Sequence, residues 1–252
     1  MGEMRVRNKK REKRMPMTLD CSGNDKSSLL IELNIRKKES NVKQKGRIRA
    51  FSATGSILED DGIAIAQGVS GVMIKGFEIR DYLSSVSNAI TADGASHIKI
   101  INNMIYNVFS GIYIGNGKNV EISKNVVKDS DFVGIWIAAD ITDSENIKVM
   151  NNRVTGITTP YPEFGGHGIY VIVGEMELKN LKGSENNRVI GNRVRKNREW
   201  GIALVEDMYG IPSNNNVVAS NIAKGNVLYD LYDDRTGTGN IWRSNIYKTK
   251  NW

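Results

Sequence analysis

Apolar residues in this chain alternate with polar ones in short bursts, and the bursts recur. A Gly-Ile-x-Ile phrase appears at Gly62-Ile63-Ala64-Ile65, Gly111-Ile112-Tyr113-Ile114, Gly134-Ile135-Trp136-Ile137, Gly168-Ile169-Tyr170-Val171 and Gly201-Ile202-Ala203-Leu204. Ala89-Ile90-Thr91-Ala92 and Asp230-Leu231-Tyr232-Asp233 are degenerate copies. A second phrase, apolar-x-x-Asn-x-apolar, follows each copy and carries Asn103, Asn125, Asn152, Asn192, Asn221 and Asn245; in the first copy Phe77 takes the Asn place, between Ile74 and Ile79.

Alternation of this kind is the period of a strand. The closest starts of the first phrase are 22 and 23 residues apart, enough for three short strands and three turns. A unit this small cannot bury its own apolar face, so units must stack. The predicted fold is all-β: a single-stranded right-handed parallel β-helix of about seven coils, with an Asn ladder. Stacking sets Ile63, Ile90, Ile112, Ile135, Ile169, Ile202 and Leu231 in one inward column. Each ladder asparagine is expected at a turn, in the left-handed conformation that Asn tolerates, with its amide bonded to the same amide in the next coil. The solenoid is expected over residues 46–252, with 46–58 an irregular first coil and 240–252 a last coil closed by aromatics. Residues 1–45 are expected to be a basic segment, part cap and part disordered.

Composition narrows the picture. Glycine is frequent and proline rare among 252 residues, as tight turns between short strands require. Cys21 is the only cysteine, so no intramolecular disulfide forms. No apolar run approaches the ~20 residues of a membrane helix, and no apolar stretch follows the basic N-terminus as in a signal peptide. The net charge of +7 comes from residues 1–49, with clusters at Arg5–Arg14 and Arg36–Arg49. A nucleic-acid arm is one reading of these clusters, but no aromatic residue interleaves the first, so a solvated tail is preferred. A monomer is expected.

These repeats resemble the pectate-lyase-like right-handed β-helix superfamily, in particular its carbohydrate-binding and sugar-hydrolase repeats. Repeats of the periplasmic copper-binding maturation type look similar. The resemblance covers residues 46–252. It implies a polysaccharide or surface glycan as partner and an extracellular or cell-surface location. It also implies that the Gly-Ile-x-Ile strands form the first sheet, with the strands before and after Asn forming the second and third.

In the first sheet the residue beside each inward Ile points outward. That column reads Ala64, Thr91, Tyr113, Trp136, Tyr170, Ala203, Tyr232, and its aromatics suit the apolar faces of sugars. Cross-strand stacking alone is the other explanation. The two longest coils add excess at Gly156–His167 and Gly174–Asn186, expected to wall a groove from opposite sides. Candidate catalytic residues are His167, Arg198, Glu199, Glu206 and Asp207. Candidate substrate-binding residues are Tyr113, Trp136, Tyr170, Tyr232 and Asp140. Asp143, Asp233 and Asp234 are further acids near strand ends, whereas His97 is expected to be structural. On this fold a lyase or epimerase needs a base and a cation, whereas a hydrolase needs two carboxyls. No compact lyase motif is present, so a non-catalytic glycan-binding module and a structural spacer stay open. No metal site is expected from the two distant histidines. Calcium is the one cofactor the acids could take, at Asp140, Asp143 or Glu175, although no loop has calcium spacing.

Overall fold

The computed structural model describes residues 47–49, 62–82, 88–139, 143–159, 165–173, 183–206 and 211–252. Every strand among them is short, and three sheets run along the stack. The first sheet joins Ile63–Ile65, Asn88–Asp93, Ser110–Gly115, Val133–Ala139, His167–Val173, Trp200–Val205 and Tyr229–Asp233, all parallel. The second contains the strands before each ladder asparagine and the third the strands after it.

The inward column is in register as the alternation requires. Ile63, Ile90, Ile112, Ile135, Ile169, Ile202 and Leu231 pair in sequence, and each is at most 2% exposed. Ile100, Ile122, Val149, Val189 and Val218 from the second sheet and Ile105, Val127, Val154 and Val194 from the third complete the core. Glycine opens the first-sheet phrase because the backbone of the next coil passes too close there for a side chain. A Cβ on Gly134 would stand 2.6 Å from the Gly168 carbonyl oxygen, and one on Gly168 2.5 Å from that of Gly201.

The asparagines bond from coil to coil. Nδ2 of Asn125 donates to Asn152 Oδ1 at 3.1 Å and to the Ile100 carbonyl at 2.8 Å, and its backbone N–H donates to Asn152 Oδ1 at 2.8 Å. The same pattern links Asn103 to Asn125, Asn152 to Asn192, Asn192 to Asn221 and Asn221 to Asn245. Phe77 ends the row by donating its backbone N–H to Asn103 Oδ1. One expectation is corrected. The ladder residues are not left-handed; the residue before each is, at Asn102, Lys124, Asn151, Gly191, Ser220 and Ser244. That residue makes the corner, and the asparagine after it is left with its side chain directed into the stack.

The ends differ from the middle. Residues Arg47–Arg49 pair antiparallel with Met73–Lys75, so they do not continue the parallel coils as an irregular first coil would. At the other end Trp242 and Trp252 pack 4.7 Å apart against the core, and Trp242 Nε1 donates to Asp233 Oδ2.

Candidate functional site

The outward column of the first sheet has the register read from the sequence: Ala64, Thr91, Tyr113, Trp136, Tyr170, Ala203 and Tyr232 are paired neighbours. A second set of rings, not foreseen, lies beside it at the strand starts: Phe109, Phe132, His167, Trp200 and Tyr229. The two sets interlock. Tyr113 meets Trp136 edge to face at 5.1 Å, and Phe132 meets Trp136 at 5.8 Å. Trp200 stacks on His167 at 4.5 Å and on Tyr232 at 4.2 Å. Because those two partners come from the coils on either side, both faces of Trp200 are covered and Ala203 is buried beneath. The half-buried rings of this stretch therefore offer more edge than face. Toward the other end of the sheet, Trp136 Nε1 and Thr91 Oγ1 are buried without a hydrogen-bond partner among the described residues.

Titratable groups gather where the first-sheet strands begin. Strand pairing brings His167 and Glu199 together, with Nδ1 3.6 Å from Oε2, close enough for charge coupling and too long for a hydrogen bond. His167 is only 6% exposed. Burial lowers its pKa to about 4, which keeps the ring neutral near pH 7. Burial raises Glu199, and the neighbouring Arg198 guanidinium partly offsets this. Burial also raises Asp131, which the sequence reading passed over. Backbone bonds from Gly166 N to Phe132 O and from Glu199 N to Gly166 O place these segments on three successive coils. Asp131 and Glu199 are thus two coils apart, about 10 Å along the stack. The coil between them carries Gly165 and Gly166, both at positive φ, and His167. Arg198 directs Nη1 to the Thr159 carbonyl at 2.6 Å.

The remaining candidates lie elsewhere. Glu206 follows the far end of Trp200–Val205, about 20 Å from Glu199 at strand rise, so it cannot share a reacting bond with His167. Its backbone N–H donates to Asp234, whose other oxygen holds the Thr236 hydroxyl. Asp233 accepts from Trp242 and from the Arg235 backbone, and Asp143 accepts from the Gly183 backbone. These three acids fasten turns. His97 is exposed in a left-handed turn beside Ser70 and Ser96. Asp140, Asp207 and Glu175 lie outside the described residues, as do most of the two long excursions. Among the described residues no group of three or more His, Cys, Asp or Glu side chains could hold a metal, and no helix is long and apolar enough to cross a membrane.

A family model described as a right handed beta helix region matches residues 61–247. No curated protein matches. Solved structures that resemble the chain include DFA-IIIase from Arthrobacter chlorophenolicus in complex with GF2, at 18% identity over 74% of this chain and 50% of that one, TM-score 0.41. A mutant of that enzyme in complex with DFA-III gives 18% identity over 77% and 50%, TM-score 0.42. The same enzyme without its lid gives 18% over 75% and 60%, TM-score 0.33. The chain spans half to three-fifths of their length, and at this identity the likeness says nothing of activity.

Proposed function

The chain belongs to the right-handed β-helix family, and from that premise we propose that it binds an extended sugar chain across the outward face of its first sheet. The observation that carries the reading is the continuity of that face. Phe109, Tyr113, Phe132 and Trp136 pack together on two coils, His167, Tyr170, Trp200, Tyr229 and Tyr232 on the next three, and strand pairing sets Trp136 beside Tyr170; the titratable groups Asp131, His167 and Glu199 lie at the edge of this face. Aromatic edges and faces give large contact area at low entropy cost.

If the face is catalytic, hydrolysis fits better than elimination. Two carboxyls raised by burial, two coils apart, suit an acid and a base acting on opposite sides of a glycosidic bond. The second reading is a structural spacer, which the covered faces of Trp200 favour.

A polysaccharide panel separates these readings. Neutral glucans, fructans and polyuronates would be assayed for retention, for new reducing ends and for unsaturated ends. New reducing ends that vanish in Glu199→Gln support hydrolysis. Retention without product supports a binding module. Neither retention nor product leaves the spacer.

A further inference from the structure

Sheet-lining charges of the third sheet form a separate surface. Four of its six strands, Val126–Lys128, Arg153–Thr155, Arg193–Arg195 and Ile222–Lys224, lie side by side in parallel, with Met104–Val108 and Glu78–Tyr82 beyond Val126–Lys128. Their central residues are buried, so the two flanking residues of each strand point outward. Of those eight outward positions, five are cationic and none is acidic: Lys128, Arg153, Arg193, Arg195 and Lys224. Arg153 is directly opposite Arg193, and Arg195 opposite Lys224. Lys128 pairs with Asp129 at 3.7 Å. The four others are exposed and have no acidic partner among the described residues.

Like charges facing each other one strand apart, about 4.8 Å, repel and cost stability. A bound polyanion removes that repulsion. We propose that this face binds an acidic polysaccharide, a chain of sugar rings each bearing a carboxylate, laid along the solenoid axis. Each coil supplies cations at a step comparable with the length of one sugar ring. Arg193 and Arg195 stand on the same side of one strand, and a guanidinium grips a carboxylate through two parallel N–H bonds. Nucleic acid fits less well. Tyr106, on the neighbouring strand, lies under the Lys128 ammonium at 5.0 Å, no aromatic residue on the four cationic strands continues a row on which bases could stack, and the surface is a sheet without a helix to enter a groove. The proposal goes beyond the first-sheet reading and does not depend on it.

The test measures affinity of the full chain for polygalacturonate, neutral dextran and single-stranded DNA at low and high salt. The variants are R153Q/R193Q/R195Q, Lys224→Gln and, on the second sheet, Arg188→Gln, all of which keep the basic N-terminal segment. The wild type is expected to bind polygalacturonate in preference to the others. The triple variant should bind it at least tenfold more weakly, Lys224→Gln a few-fold more weakly, and Arg188→Gln, an exposed cation of the second sheet, as wild type. Lys224→Gln lies at the margin of the face and serves if the triple variant does not fold. Unchanged affinity in the arginine and lysine variants would overturn the proposal, as would tighter binding of DNA or no binding of polygalacturonate at low salt. A loss in Arg188→Gln as large as in the triple variant would overturn it too, because any exposed cation would then serve.

Discussion

His167 Nδ1 stands 3.6 Å from Glu199 Oε2, with the imidazole stacked on Trp200 at 4.5 Å and tilted against Tyr170 at 4.7 Å. The two aromatic rings strip water from the histidine, and that burial outweighs the attraction of the nearby carboxylate. The result is a neutral histidine beside a carboxyl that is itself held toward its protonated form.

This arrangement predicts how stability varies with pH. His167 titrates near 6.5 when unfolded and near 4 in the fold, so the unfolded chain binds more protons between those values. Stability therefore falls on acidification from pH 6.5 to 4, by up to about 3 kcal/mol. Glu199 acts oppositely: its raised folded pKa costs stability as pH climbs above the unfolded carboxylate range. Urea unfolding across pH 4–7 should show a steeper rise with pH in Glu199→Gln than in wild type, and no rise in His167→Gln.

Trp200→Ala tests the ring stack. Removing the slab between His167 and Tyr232 opens the imidazole to water. We expect a loss of about 2–3 kcal/mol, below the range for a fully buried Trp because this one is half-buried. The His167 pKa should move back toward 6.5, which an NMR titration of its ring protons would follow.

The asparagine ladder predicts a gradient along the stack. Asn152→Ala removes the buried acceptor of the Asn125 backbone N–H and of one Asn125 amide hydrogen, and the amide donor to the Ile122 carbonyl. At about 1–3 kcal/mol for each group, a loss of at least 3 kcal/mol is expected. Asn245→Ala orphans the equivalent groups where water reaches them, and should cost about 1 kcal/mol. Denaturant midpoints of the two variants check the order.

Much of the fold was legible because it rests on a simple period. Alternation fixed which residues point inward, and the register of Ile112, Ile135 and Ile169 follows from it. One ladder was legible, yet two more were in reach. Asn187, Asn216 and Asn240 form a second row, and Asn197, Asn226 and Asp230 a third. Their signal is a five-residue spacing on either side of Asn192 and Asn221, which a search for one asparagine per coil passes over. The site was less legible. Tyr113, Trp136 and Tyr170 were found by alternation, whereas Asp131 and Phe132 lie in a bend and Trp200 opens its strand ahead of the alternating phrase, where no period tells which side chain approaches which. Glu206 was grouped with His167 because both flank first-sheet strands. Flanking residues lie at one end or the other, and strand length keeps these two apart.

The central claim is that the first-sheet face binds a sugar chain, and the most direct measurement is affinity electrophoresis of wild type against Tyr113→Ala/Trp136→Ala in gels containing each polysaccharide of the panel. Thermal unfolding of both proteins would be recorded alongside. The account predicts that at least one polysaccharide retards the wild type and that the double variant, still folded, runs at least tenfold closer to its unretarded mobility. Equal retardation of the two folded proteins, or none of either by any polysaccharide, would contradict it and leave the aromatic face as a device for stacking coils.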